Sequence, residues 1–513
     1  MTQLQKILLI GTSILLLILS IVGFFANTIS KRYIEKKIKQ VAQQRTLDIT
    51  YTTLSVDVWK GNLTIEEVSL RDTQQNLITL PRLSLEDISI QALLFSRHLQ
   101  AEKLHLKRPS LQLSMPYSKN TFSSSKKDEA SFEITLQEVS IDSGSIQINR
   151  VQQPLLRGNF MLQLQALTVL SSADTTSFDL ASYHLQADNL QYFMEDYDFL
   201  APRLQLLSTP NVLTIEDLQV VPKHSRYRLG AKYGHQVTWF KVSQGKVTLR
   251  ALDWKALLQR KIQMDAAEVQ GAVLEIFRDL RLPSPSKPPT PLPQQMLNEL
   301  PFSLAIDTVL LAVDRLTYQE HVPEASEAGV VFFTNLRAEA FHVVNQQLSK
   351  KRTYNHLKAT AQLYGQGYLQ AFFNMPLAGD VYTAKGAMGN FDLPAINAMA
   401  TPSENLRIES GRLERLDFQF TYNRTNAWGE VALQYDNLKV QSLTPQAQQP
   451  AKVDIFKTLF MNIGLHKDSS QGDQKKSKGK IQFQRNPQKS VFHYWWKSLL
   501  SGIKEAVKVK IEL

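Results

Sequence analysis

The chain has no cysteine in its 513 residues. That excludes a disulfide framework and any thiolate metal site. It also lacks the common catalytic signatures: G-x-x-x-x-G-K-[ST], G-x-S-x-G and H-E-x-x-H are all absent. The stretch "GQGYLQ" at 365–370 opens like a dinucleotide loop, but it has no third glycine and lies in a β-alternating region. His98 and His105 stand seven apart without a metal-binding context and read as surface residues. No enzyme activity, cofactor or metal is expected.

Charge is scarce in the long middle of the chain. The formal net charge is +11, and two flanks hold nearly all of it. Residues 31–45 carry six basic groups and one acid; residues 467–489 carry seven and two. A nucleic-acid-binding protein would carry its basic surface on the folded body. Basic flanks instead read as membrane-proximal or solvated segments.

Long apolar runs are missing everywhere except at the start. Residues 7–25, "ILLIGTSILLLILSIVGFF", contain no charge. As a helix they span roughly 28 Å, close to the ~30 Å hydrocarbon core of a bilayer. Ile7, Leu8, Leu9, Leu15, Leu16, Leu17, Ile18, Leu19, Ile21, Val22, Phe24 and Phe25 form the predicted anchor. A cleaved signal peptide would have a shorter apolar region and a small-residue cleavage site, which "FFANTIS" does not supply. Basic residues following the span would, on charge alone, hold the rest of the chain in the cytoplasm. Long domains are nevertheless translocated against that rule, so charge leaves the sidedness open.

What remains is alternation. "LTIEEVSL" at 63–70 returns as "LTIEDLQV" at 213–220. "LSLEDISIQALL" at 83–94 matches "VTLRALDWKALL" at 247–258, and "FEITLQEVSIDSGSIQINR" at 132–150 matches "FSLAIDTVLLAVDRLTYQE" at 302–320. Three matches in one order indicate an internal duplication of amphipathic strands. The 132–150 stretch reads as two strands joined at 142–144. Adjacent acids such as Glu66 and Glu67 point to opposite faces of a strand, so they read as solvated charge or turn residues rather than an acid–base pair. The step from Ile65 to Val68 shifts the alternation by one, and so does the step from Ile215 to Leu218. A bulge or turn is expected at both places.

These signals divide the chain into seven parts. Residues 1–30 hold the anchor, 31–50 a basic juxtamembrane helix, and 51–280 a first β half. A proline-rich linker covers 281–300, with six prolines in "LPSPSKPPTPLP". A second β half covers 301–465, and a basic disordered loop 466–489. The tail, 490–513, reads as an amphipathic helix followed from Val507 by a last strand. Phe492, Trp495, Trp496, Leu499, Leu500 and Ile503 mark its apolar side. They suit either a cap on the sheet interior or an interfacial, docking helix.

The expected fold is mainly β: an anchoring helix, then an elongated, curved antiparallel sheet of roughly 25–30 repeated strands, then the terminal helix. An apolar face left partly open would form a groove suited to acyl chains. Leu63, Ile65, Leu83, Leu85, Ile134, Leu136, Leu213, Ile215, Leu304 and Ile306 are the candidate groove-lining residues.

Two stretches carry a resemblance to a known family. They are "YIEKKIKQVAQQRTLDITYTTLSVDVWKGNLTIEEVSL" after the apolar run and "LRIESGRLERLDFQFTYNRTNAWGEVALQYDNLKV" at 406–440. In the second, Ile408, Ser410, Gly411, Leu416, Phe418, Gly429, Tyr435, Asp436, Leu438 and Lys439 are similar to the C-terminal signature of the AsmA-like family, relatives of TamB-type bacterial envelope proteins. The resemblance implies an inner-membrane protein with its bulk in the periplasm. It also implies a part in phospholipid transport or outer-membrane homeostasis, with membrane and phospholipid as partners and no nucleic acid. The competing expectation is a scaffold or assembly factor for outer-membrane proteins, with an envelope protein as partner.

Overall fold

The computed structural model describes residues 27–58, 60–89, 98–115, 132–150, 153–171, 176–285, 289–345, 354–443 and 477–508. The predicted anchor at 7–25 lies outside them. No described helix is long and apolar enough to cross a membrane. The protein is mainly β and divides into two compact units, Met1–Leu218 and Gln219–Leu513. Each carries twelve strands among the described residues.

The first unit opens with helix α1 (Asn27–Arg45), which buries Ile34 and Ile38. Strands β1 (Asp48–Thr50) and β2 (Thr53–Asp57) both pair with β3 (Asn62–Arg71), which pairs with β4 (Leu77–Glu86). Next come β5 (His98–Lys107) and β6 (Ser110–Met115), placed end to end between β4 and β7 (Phe132–Arg150). Then follow β8 (Gln153–Ser171), with β9 (Thr176–Asp179) and β10 (Ser182–Phe193) on its far side. The order ends with β11 (Tyr197–Ser208) and β12 (Asn211–Glu216).

In the second unit β13 (Gln219–Pro222) pairs with β14 (Thr238–Val242). Both β14 and β15 (Lys246–Arg250) lie on β16 (Lys261–Asp279), which pairs with β17 (Ser303–His321). An antiparallel meander follows through β18 (Gly329–Val344), β19 (Tyr354–Leu363), β20 (Tyr368–Pro376) and β21 (Tyr382–Asp392). It ends with β22 (Leu406–Tyr422), β23 (Asn426–Ser442) and β24 (Ser477–Gln484). Helix α2 (Val491–Lys508) packs on β23 and β24.

The sheet is not purely antiparallel, as expected from the sequence, but mixed. β5 and β6 run parallel to β7, and β16 runs parallel to β17. Alternation sets which face is dry but not strand direction. Direction depends on the connection. The proline-rich segment after β16 cannot supply the N–H groups of a central strand, so the chain returns outside the sheet and re-enters it at the starting end. The segment also holds a short helix, Pro293–Asn298.

Three further expectations are corrected. The 132–150 stretch is one continuous strand, with its register shifted between Ile141 and Gly144 where Ser143 adopts φ 51°. A turn signal inside a long strand was absorbed as a bulge because both flanking runs kept their partner in β8. The loop predicted at 466–489 contains β24, paired with β23 from Asn426–Gln484 to Leu433–Ser477. Its few apolar residues, Ile481 and Phe483, are enough because α2 covers them. The close fit needs glycine, since a Cβ at Gly479 would overlap the backbone of Gly502 and Ala506. Finally, α2 runs through Val507 to Lys508, where a strand was expected to begin.

The duplication is visible in the backbone as well as the sequence. Glu67 and Asp217 hold φ 51° and 52°, at the predicted phase shifts of the repeated phrase. Each phrase also lies opposite a Pro-Arg-Leu run. Glu66 and Ile65 oppose Arg82 and Leu83, while Glu216 and Ile215 oppose Arg203 and Leu204. In both cases a proline, Pro81 or Pro202, comes next along the partner strand and has no N–H to offer across the kink. The hairpins β7–β8 and β17–β18 agree too. Ala166 is left-handed opposite Gln137, and His342 is left-handed opposite Asp307, which is Gln137's counterpart in the repeat.

Candidate functional site

Residues directly opposite in a ladder share one face of the sheet. Following them in the first unit gives one unbroken apolar row. It runs Leu54, Ile65, Leu83, Leu106, Ile141, Leu162, Leu185, Leu206, Leu213, from β2 to β12. A neighbouring row joins Val56, Leu63, Leu85, Leu104, Val139 and Leu164. The other face is polar: Ser55, Thr64, Ser84, His105, Ser140, Gln163 and His184 follow one another. There His105 shares a 2.8 Å hydrogen bond with Ser140 and lies 3.3 Å from Asp142.

The second unit repeats this segregation across ten strands. Leu249, Ala267, Val309, Ala340, Leu357, Phe373, Ala384, Phe420, Gly429 and Ile481 form a row from β15 to β24. On its reverse, Glu268, Glu339, Lys358, Lys385, Gln419, Glu430 and Lys480 alternate with Leu310 and Phe372. Lys358 and Glu339 lie 3.7 Å apart on this face.

Each apolar face is closed at one end and half-open along the rest. In the first unit, α1 brings Ile34 and Ile38 into a cluster with Leu54, Leu63, Ile65, Leu83 and Leu85. Beyond β7 the same row is only half-buried at Leu162, Leu185, Leu206 and Leu213. In the second unit α2 closes the face over β20–β24, with Leu292 buried in the same cluster. Tyr494 sits edge-on to Tyr422, and Trp495 stacks on Phe373 with centroids 4.4 Å apart. At the other end Leu249, Val309 and Ala340 are half-buried, and Leu311, on the same face, is 36% exposed.

The predicted lining residues divide accordingly. Leu63, Ile65, Leu83, Leu85, Ile134 and Leu136 lie in the closed cluster, each at most 4% exposed. Leu213 and Ile215 lie on the half-open part of the face. Leu304 is buried near the start of β17, with Ile306 half-buried beside it. The half-open residues Leu162, Leu185 and Leu206 were not singled out from sequence, although their alternation was legible. Of the helix residues, Leu500 is buried and Trp495, Leu499 and Ile503 pack against the core. Phe492 and Trp496 face outward, 77% and 48% exposed.

The described residues contain no group of three or more His, Asp or Glu able to hold a metal. Titration is perturbed at several packed side chains, some of them where the helix meets the sheet. Burial, then Lys497 and Lys489, push His493 down to about 4. Burial raises the Tyr422 and Tyr364 hydroxyls well above the ordinary phenol value, and Tyr364 donates to the Val330 carbonyl at 2.7 Å. These are properties of a packed interior. No family model and no curated protein matches the chain.

Proposed function

We propose that the half-open aliphatic face binds the acyl chains of membrane lipid. The chain is then a non-enzymatic, membrane-anchored protein of the bacterial envelope, with 7–25 in the inner membrane and its bulk in the periplasm. It takes part in phospholipid transport or outer-membrane homeostasis, as its AsmA-like stretches imply. The observation that carries this reading is the unbroken apolar row beyond the closed cluster, on a sheet whose reverse is polar. An acyl chain needs such a surface and little directional bonding. Each CH₂ taken from water contributes about 0.8 kcal/mol. The row's four half-open rungs beyond β7, on β8, β10, β11 and β12, span roughly 14 Å at ~4.8 Å spacing, against roughly 15 Å for one leaflet of a ~30 Å core. The half-open stretch therefore matches about one tail length.

The test is mass spectrometry of lipid retained by the full chain purified in mild detergent, alongside binding of a fluorescent alkyl probe. Replacing two half-buried rungs together, Leu185→Glu and Leu206→Glu, is expected to abolish probe binding while the far-ultraviolet spectrum stays unchanged. Absence of both retained lipid and probe binding in the unaltered chain would sink the reading.

A second reading has one observation in its favour: Phe492 and Trp496 stand exposed on α2. They suit a scaffold that docks an envelope protein. Phe492→Ser with Trp496→Ser would then remove a partner while leaving alkyl-probe binding intact.

A further inference from the structure

The second unit holds a buried cation whose charge no carboxylate balances. Arg485 directly follows β24 and is only 7% exposed. Its guanidinium donates to the Thr290 carbonyl and, at 3.5 Å, to the Arg424 carbonyl. It also lies over the Tyr494 ring, 5.5 Å from the centroid. Its Nε is buried and has no partner. No ion pair joins it to an Asp or Glu among the described residues. By contrast, the exposed Arg424 side chain is paired with Asp380 at 2.9 Å.

Arg485 lines a cavity of about 410 Å³, together with Pro289, Thr290, Pro291, Arg424 and Pro487. Three lining residues are prolines, which have no competing N–H, while Gln295, Asn298 and Glu299 make other parts of the wall polar. A guanidinium stays charged at any ordinary pH, and burying it without a counter-ion is costly. Carbonyl dipoles offset only part of that cost. The cavity is larger than a carboxylate alone would need. Arginine's planar fork matches phosphate geometry. Glu299 also lines the cavity and would repel a second negative charge. That favours a singly charged phosphodiester over a dianion.

The geometry points to a phosphate-binding site at Arg485 that takes the phosphodiester of a ligand, with Arg424 assisting from the rim. Its assignment to a lipid headgroup rests on the acyl-chain reading above. The anion site itself does not. The dry face begins next to it, since Phe483 and Tyr422 lie on the apolar side and both contact Tyr494. A headgroup at Arg485 would thus leave its tails beside aromatic surface.

The experiment uses the full chain in non-ionic detergent. Its probes are dihexanoylphosphatidylglycerol, dihexanoylglycerol and inorganic phosphate, with affinity read by calorimetry. The phospholipid is expected to bind at least about tenfold tighter than dihexanoylglycerol, the scale of one charge-assisted hydrogen-bond set. Arg485→Gln is expected to erase that ratio. Arg424→Ala, at an exposed side chain, should reduce it several-fold without disturbing the fold, so the site remains testable if Arg485→Gln destabilises the unit. Competition by millimolar inorganic phosphate would identify a free phosphate ester as the natural ligand. Failure to compete, with the ratio intact, would identify a lipid headgroup. A ratio near one in the unaltered chain, or one that survives Arg485→Gln, overturns the site. Dihexanoylglycerol and alkyl-probe binding without phosphate preference would leave the acyl reading standing alone. Phosphate preference without alkyl-probe binding would do the reverse.

Discussion

The two capped ends of the apolar faces are closed by different means. In the first unit, α1 contributes aliphatic side chains, and the cluster beneath it is leucine and isoleucine packed to near-zero exposure. In the second, α2 contributes aromatics, with Tyr494 and Trp495 against Tyr422 and Phe373, and glycines let the helix backbone approach the strand. Both lids stop short of the full face. The same ladder of apolar residues is therefore a core under a helix and a half-open surface beyond it. What separates core from candidate lining is the cover, not the residue type.

The largest expected effect tests that distinction within one row. Leu83→Ala, under the lid, should cost about 3 kcal/mol of unfolding free energy by leaving a cavity in the closed cluster. Leu185→Ala, four strands further along the same row, should cost about 1 kcal/mol, since that side chain is only partly buried. Denaturant titration of the two variants measures the gap. Equal losses would mean that the far rungs are packed shut.

The next effect distinguishes the two lids by pH. His493 on α2 is held neutral by burial and by nearby lysines, with its folded-state value lowered to about 4 from the ordinary 6.5. Above pH 6.5 its contribution to stability is complete. As pH falls from 6.5 towards 4, the unfolded chain takes up the proton first and stability is lost, by about 2–3 kcal/mol in total. Below 4 the loss levels off. Hydrogen exchange across 491–508 should accelerate over that window, and His493→Gln should flatten the response.

The smallest effect lies on the polar face. Arg250 and Glu268 meet at 2.7 Å across β15 and β16, but the arginine is half-exposed. Arg250→Ala should lower thermal stability only marginally, and less at high salt. A larger loss, measured by thermal unfolding, would show that the polar ladder contributes more than solvation.

Much of this organisation was legible in the residues. The alternation of Leu63 and Ile65, then Val68 and Leu70, marked both the dry face and its one-residue slip, and Glu67 takes the left-handed backbone that the slip requires. The duplicated phrases marked strands that recur with the same partners. Other features were not legible. Ser477–Gln484 has too little apolar content to declare a strand, and it becomes one because α2 seals its inner side. Ser143 looked like a turn, but its neighbours on either side stay in register with β8 apart from one bulge. Arg485 sits in a basic, polar stretch that reads as solvated, yet the fold buries it beside a proline-lined cavity.

The amino-acid sequence by itself determined which side of each strand is apolar, because side-chain direction alternates locally and needs no partner. It also determined that the pattern is written more than once. Tertiary structure decided where the chain runs parallel, which rungs are covered and which cation is left unbalanced. Those outcomes depend on connections and lids that bring together residues far apart in the chain, and no local period encodes them.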